Sequence, residues 1–298
     1  MQEPRKTTLI DAPRLSRHVG ASLVLASETF QYTGSFKYRA AFAVARAVPH
    51  PRLLTASSGN FGQALACACA LFDKGCTVVM PATSAQVKVD AVRAFGGAVE
   101  LIDTARVSRA ERVRQLAAAD PDAYVASAYD DELVIEGNST LGVELAALAL
   151  DDVVAPVGGG GLTAGLVTGL RRGGSQAQVV GAEPLLANDA ARSLREGRVV
   201  VNEREPQTLA DGARTVSLGA ANWAVLREGL AGIVEVPEEA LREAVRLLFS
   251  LANLKAEPTG ALGLAALLCE PGRFRGRRVC CVVSGGNVDP ALYRELIA

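Results

Sequence analysis

Lys37 stands in the run Thr33-Gly34-Ser35-Phe36-Lys37-Tyr38-Arg39, flanked by Gly, Ser and Phe and followed by the apolar run Ala40 to Val44. A lysine is ordinarily a solvated surface charge. This setting instead predicts an amine at a helix start beside buried surface, where desolvation lowers its pKa and makes it nucleophilic toward a carbonyl. Three stretches rich in backbone donors accompany it: Ser57-Ser58-Gly59-Asn60, Gly158-Gly159-Gly160-Gly161 and Ser284-Gly285-Gly286-Asn287. The tetraglycine follows the apolar run Val153–Val157 and precedes a helix expected from near Leu162, so its N–H groups and the helix dipole converge on an anion such as phosphate. Four consecutive glycines cost order that a plain turn does not require. There is no GxxxxGK[ST], and no GxGxxG opens the first strand–helix unit, so a phosphate without a nucleotide is the expected ligand. Glu183 and Asp189 flank Pro184-Leu185-Leu186-Ala187-Asn188; taken alone they read as a solvated loop.

These residues need a scaffold that brings distant junctions together. Short apolar runs at Arg52–Ala56, Thr77–Met80, Ala98–Ile102, Val153–Val157, Val179–Ala182 and Val279–Val283 alternate with helical periodicity in Gln63–Phe72, Ala85–Phe95, Ser108–Ala118 and Glu238–Leu251. Pro237 suits the start of the last helix. The alternation predicts an α/β fold of parallel sheets with crossover helices, whose ligands collect at the carboxyl ends of strands. A chain of 298 residues suits two domains or one large one. With no internal repeat and no long linker, two domains would be tied by more than one crossing of the chain, as when one is inserted in the other.

Composition narrows the partners. Lys+Arg 31 against Asp+Glu 32 leaves a net charge of −1 with 5% aromatics, a poor match to nucleic acid or an anionic membrane. The longest apolar runs, Ala64 to Phe72 and Ala261 to Cys269, are about half of what a membrane span needs. Met1 to Thr8 lacks an apolar signal core, so a cytoplasmic protein is expected. Six cysteines without a CxxC pair read as core residues rather than a zinc site. His18 and His50 have no convergent partners in the pattern, and Arg109 reads as part of a solvated helix face, or as a partner for a substrate carboxylate.

Gly34-Ser35-Phe36-Lys37, Ser57-Ser58-Gly59-Asn60, Gly158 to Gly161, Glu257-Pro258-Thr259-Gly260 and Ser284-Gly285-Gly286-Asn287 together resemble the fold-type II pyridoxal 5′-phosphate enzymes, in particular the serine/threonine dehydratase and serine racemase branch. The likeness extends over Tyr129-Asp130-Asp131, Ile135-Glu136-Gly137 and Ala210-Asp211-Gly212. It implies a tryptophan synthase β-like fold of two three-layer parallel-sheet domains, a small one (49–129) inserted in a large cofactor-binding one (1–48 plus 130–298), and a homodimer.

By the same resemblance, Lys37 condenses with the cofactor aldehyde, Phe36 and Gly212 sandwich the pyridine ring, and Asn60 meets its 3′-oxygen. Gly158, Gly159, Gly160 and Gly161 hold the phosphate, and Ser284 meets the pyridine nitrogen. Ser57, Ser58, Gly59 and Asn60 grip the substrate carboxylate, with Phe61 next to them. A carboxylate at the pyridine nitrogen would make a strong electron sink, and a serine does not. Prompt loss of a β-leaving group therefore follows removal of the Cα proton by Lys37, giving a 2-oxo acid and ammonia from L-threonine, L-serine or 3-hydroxyaspartate. A racemase using Ser58 as the second acid/base stays open, as do β-replacement and a non-catalytic ligand-binding homologue. The resemblance further implies a divalent cation, Mg²⁺ or Ca²⁺, at Glu183, Asp189 and the Ala187 carbonyl. Two positions depart from the pattern: Phe61 replaces a frequent histidine, leaving substrate choice open, and Ala40 replaces a glycine. Biosynthetic threonine dehydratases carry a further regulatory domain, for which 298 residues leave no room, so isoleucine feedback is not expected.

Overall fold

The β-branched and apolar runs become strands in the computed structural model, which describes residues 3–57, 59–84 and 86–298. In chain order they are β1 (Thr8–Asp11), β2 (Ser22–Ser27), β3 (Arg52–Ala56), β4 (Gly75–Pro81), β5 (Ala98–Ile102), β6 (Ala123–Val125), β7 (Asp152–Pro156), β8 (Gln178–Pro184), β9 (Leu230–Val236) and β10 (Arg278–Val283). One sheet has the order β1-β2-β10-β7-β8-β9 and the other β5-β4-β3-β6. All neighbours are parallel except the β1–β2 pair. The expected α/β class with parallel sheets is therefore observed.

Both faces of each sheet are covered, and the strands alternate between two cores. Val279, Cys281 and Val283 face the core holding Leu15, Leu248, Leu262 and Phe274. Cys280 and Val282 face the one holding Leu141, Leu166 and Leu226. In the smaller sheet Val78 and Met80 pack with Phe61 and Leu65, while Val79 packs with Leu54, Ile102 and Val113. Each such side chain contributes about 1.5–3 kcal/mol on leaving water. Cysteines 280 and 281 thus serve as small core residues, as expected.

The parallel register brings the chemistry to one edge. Val283 lies opposite Ser27, and Cys281 opposite Val154. The loops that follow β2, β10 and β7 consequently leave the sheet side by side. Four strands, β1, β2, β6 and β9, were not expected from sequence. β1, β6 and β9 are sheet edges, and β2 has only four central apolar residues, too short a run to separate strand from helix.

Candidate active site

Lys37 opens the helix Lys37–Ala47, and the segment before it is stitched to the loop after β10. Phe36 N–H donates to the Ser284 carbonyl (2.9 Å), Gly286 N–H donates to the Gly34 carbonyl (3.0 Å), and Ser35 bridges Gly285. Gly34 has φ +73°, and a Cβ there would lie 2.3 Å from Asn287 Oδ1. Glycine alone fits that turn. Two residues past Lys37, the buried Arg39 clamps the helix. Its guanidinium donates to Glu28 Oε2 (2.7 Å) and Oε1 (2.9 Å), to Glu144 Oε1 (2.7 Å) and to the Arg5 carbonyl (3.1 Å). Arg39 is 2% exposed and Glu28 0%, so this bidentate pair is fully desolvated and removal of either partner would strand the other charge.

The Lys37 amine donates to the Ala128 carbonyl at 2.5 Å. It lies 5.1 Å from the Phe36 ring centroid and 5.7 Å from that of Phe61. Burial among these groups lowers its pKa to about 8, against an upward pull from Glu257. Ala128 leads directly into Tyr129, whose ring packs on the tetraglycine: a Cβ on Gly159 would lie 2.2 Å from Tyr129 Cδ2. The amine and the glycine loop are therefore parts of one cleft wall.

Gly160 caps the helix Gly161–Arg172 with left-handed φ 92°. First-turn N–H groups of such a helix have no intrahelical acceptor and point outward as an anion site. Gly212 backs onto Gly158, since a Cβ on Gly158 would meet the Gly212 carbonyl at 3.1 Å, and Gly212 N–H donates to Thr259 Oγ1 (3.0 Å). The Ser284 hydroxyl is buried with no partner among the described residues, which marks it as a group awaiting one.

Asn60 opens the helix Asn60–Leu71. Its Nδ2 donates to Glu257 Oε1 (2.8 Å), while its Oδ1 accepts from Asn287 Nδ2 (2.8 Å). Asn287 Nδ2 also donates to the Thr33 carbonyl (2.7 Å). Sequence reasoning quoted Glu257 within a motif and gave it no role; the structure makes it the buried carboxyl at the centre of this cluster, pushed up to about 8 by burial and by the charge of Asp211. An acidic residue directly before Pro258, the first residue of the helix Pro258–Cys269, was the available signal. Ser57 turns inward, and its Oγ accepts from Gly59 N–H (3.3 Å) and Gly62 N–H (3.1 Å), organising the first turn of the Asn60 helix. Gly59 is that helix's N-cap, and Phe61 is 1% exposed. Ser58 lies outside the described residues.

Glu183 is the next-to-last residue of β8, beside the helix Asp189–Glu196. It accepts from Ala190 N–H (2.9 Å) and Ala191 N–H (2.8 Å). Burial, then the nearby Asp189 charge, raises its pKa well above the usual carboxylate range. Burial likewise pushes Asp189 up to about 6. Asp189 Oδ1 accepts from Asn202 (2.9 Å), while its Oδ2 is buried without a partner among the described residues. No group of three or more His, Cys, Asp or Glu side chains suited to a metal occurs among the described residues.

Residues 1–285 match the family model for pyridoxal-phosphate dependent enzymes, and the chain belongs to that family. Its relatives lie in the branch of serine/threonine dehydratases and serine racemases. It is 35% identical over 298 residues to an L-threo-3-hydroxyaspartate ammonia-lyase of Pseudomonas sp, covering 98% of this chain and 93% of that protein. A serine racemase of Bos taurus is 32% identical over 95% of this chain and 88% of its own. A solved threonine deaminase from T.th. superposes with TM-score 0.90 at 42% identity, covering 96% of this chain and 94% of that one. The cleft fits pyridoxal phosphate: an amine of lowered pKa, a glycine loop that caps a helix N-terminus and a buried hydroxyl without a partner among the described residues lie together. No described helix is long and apolar enough to cross a membrane.

Proposed function

We propose that the protein is an ammonia-lyase that converts a β-hydroxy amino acid, L-threo-3-hydroxyaspartate, L-threonine or L-serine, to a 2-oxo acid and ammonia. The observation that carries this reading is the Lys37 amine, lowered to about 8 and held by the Ala128 carbonyl in the wall formed by Tyr129 and Gly159. Pyridoxal phosphate, when bound, supplies the carbonyl that condenses with an amine and the ring that accepts the electron pair left at Cα. Gly158 to Gly161 would hold its phosphate, Phe36 and Gly212 its ring faces, Asn60 its 3′-oxygen and Ser284 its nitrogen.

A pKa near 8 lets Lys37 Nζ take a proton at neutral pH and return it, where an ordinary lysine stays charged. The Ala128 carbonyl steadies the amine, and the Phe36 and Phe61 rings keep water from it. Asn60, locked between Glu257 and Asn287, keeps one amide face in register with the cleft. The loop of Ser57, Ser58, Gly59 and Asn60 would receive the substrate carboxylate through short donors, with Phe61 setting the apolar side of the pocket.

The purified holoprotein, incubated with L-serine, L-threonine and L-threo-3-hydroxyaspartate, is expected to release 2-oxo acid and ammonia in equal amounts from at least one of them. Formation of D-serine from L-serine without ammonia would overturn the lyase in favour of a racemase, a reading supported by the Bos taurus relative.

The rest of the reading has its own supports. Strands β3 to β6 all fall between residues 52 and 125, in keeping with a small domain (49–129) inserted in a large one (1–48 plus 130–298). A divalent cation, Mg²⁺ or Ca²⁺, would sit between Glu183, the Ala187 carbonyl and the orphaned Asp189 Oδ2, its charge relieving two buried carboxylates. Magnesium at 100 times its Kd should then stabilise the protein by about 2.7 kcal/mol, and Asp189→Asn should remove the response. Six free cysteines suit a reducing cytoplasm. A homodimer, with no nucleic-acid or membrane partner, completes the reading and is open to sedimentation analysis.

A further inference from the structure

The helix Asp189–Glu196 ends at the left-handed Gly197, and the next long helix begins at Ala220. Between them the described chain carries a single short turn, Asp211–Ala213. A connection of this length without its own regular structure is commonly a lid or binding segment. One side of it is anchored to the six-stranded sheet and its helices. Leu209 N–H donates to Glu238 Oε2 (2.8 Å), Gly212 N–H to Thr259 Oγ1 (3.0 Å) and Gly219 N–H to the Gly159 carbonyl (3.1 Å).

The other side carries two carboxylates to helices that pack on the four-stranded sheet. Asp211 Oδ2 accepts from Lys88 Nζ at 2.6 Å, and Glu205 Oε2 from Arg109 Nη2 at 3.2 Å. Lys88 belongs to the helix Gln86–Ala94, and Arg109 begins the helix Arg109–Ala119. Val89 and Val92 of the first helix pack with Val78 and Met80, and Val113 of the second with Val79, so the cations come from the two faces of the four-stranded sheet while both anions come from one segment. Asp211 adjoins Gly212, the residue that backs onto the tetraglycine, and the charges of Asp211 and Lys88 both reach Glu257 in the cleft.

We infer that segment 198–219 is a clasp that closes the active-site cleft, with Lys88 and Arg109 as positioning residues that draw the helices of the four-stranded sheet onto it around bound substrate. Both ion pairs are partly exposed, with side-chain exposures of 36% and 38% for Lys88 and Asp211, and 31% and 50% for Arg109 and Glu205. Such contacts are weak enough to break and re-form in each turnover, as a closing device requires. The inference rests on the cleft being the active site described above, so its test includes a readout that needs no turnover.

Lys88→Glu, Asp211→Lys and the exchanged double variant are compared as holoproteins by amide hydrogen exchange and by steady-state kinetics. Each single change is expected to speed exchange in both 86–94 and 203–213 and to raise KM about fivefold, with kcat within about twofold. The exchanged pair should restore both, and Arg109→Glu with Glu205→Arg should repeat the pattern. Faster exchange in only one of the two segments would overturn the clasp, as would a double variant no better than the two losses combined, or a loss confined to kcat. If none of the hydroxy amino acids is turned over, the lyase reading fails while the exchange data still decide whether the clasp exists.

Discussion

Glu257→Gln isolates one buried proton. The carboxyl is 4% exposed and its pKa is pushed from 4.5 up to about 8, so between those values the folded protein keeps a proton that the unfolded chain releases. Stability is then greatest at and below about pH 4.5 and declines as pH rises toward about 8. The difference of about 3.5 pKa units corresponds to a ceiling of roughly 5 kcal/mol at about 1.4 kcal/mol per unit. Glutamine has nearly the same shape, still accepts from Asn60 Nδ2, and does not titrate. Lys37 does not confuse the comparison, because its lowered pKa changes stability above pH 8, and below pH 8 a protonated Glu257 offers it no charge to lose. Cofactor-free wild type and variant should melt at similar temperatures at pH 5. By pH 8 the variant should gain at least about 2 kcal/mol on the wild type, seen as about 3 °C or more by calorimetry. Parallel stability curves from pH 5 to 8, or a wild type that gains on the variant, would show that this carboxyl is already ionised in the fold and would refute the burial argument.

Lys37→Ala should abolish the visible absorption of bound pyridoxal phosphate and lower turnover by roughly 10³-fold or more, with far-UV circular dichroism unchanged; a variant that stays coloured and active removes Lys37 from the chemistry. Gly160→Ala forces a left-handed φ of 92° on a residue whose Cβ would lie 2.8 Å from Leu226 Cδ1. It should cost roughly 2–4 kcal/mol in urea unfolding, whereas Gly59→Ala, with φ −131° and nothing within 4 Å of its Cβ, should cost under about 1 kcal/mol. Ser284→Ala removes an orphaned hydroxyl, so the cofactor-free protein should be as stable as the wild type or more so, while pyridoxal phosphate binds about fivefold more weakly. An unchanged cofactor affinity in equilibrium titration would place Ser284 away from the ring.

The parts of this fold that sequence made legible are those with strong local grammar. Arg52–Ala56 and Ala98–Ile102 emerge with the expected boundaries because apolar β-formers stop there at turn residues. The helix after the tetraglycine begins one residue earlier than expected, at Gly161, since Gly160 takes the left-handed cap. The Asn60 helix begins three residues before Gln63, because the Ser57 hydroxyl organises a first turn whose residues carry no helical periodicity. Glu257 escaped as a site residue for a different reason. Its burial and its bond to Asn60 join positions 197 apart in the chain, and no local pattern records such a meeting. The same holds for Asp211 and Lys88, which pair across two sheets.

The guanidinium of Arg39 extends the influence of the residues ahead of β1 into the helix that Lys37 opens. The Arg5 carbonyl accepts from it, and Thr7 N–H donates to the same Glu144 carboxylate that receives it. Trimming the chain back to β1 would withdraw that carbonyl acceptor and open this side of the guanidinium to solvent, and the slack would be felt at the lysine two residues away. Purification tags for this protein therefore belong at the far end of the chain, or on a spacer ahead of Arg5.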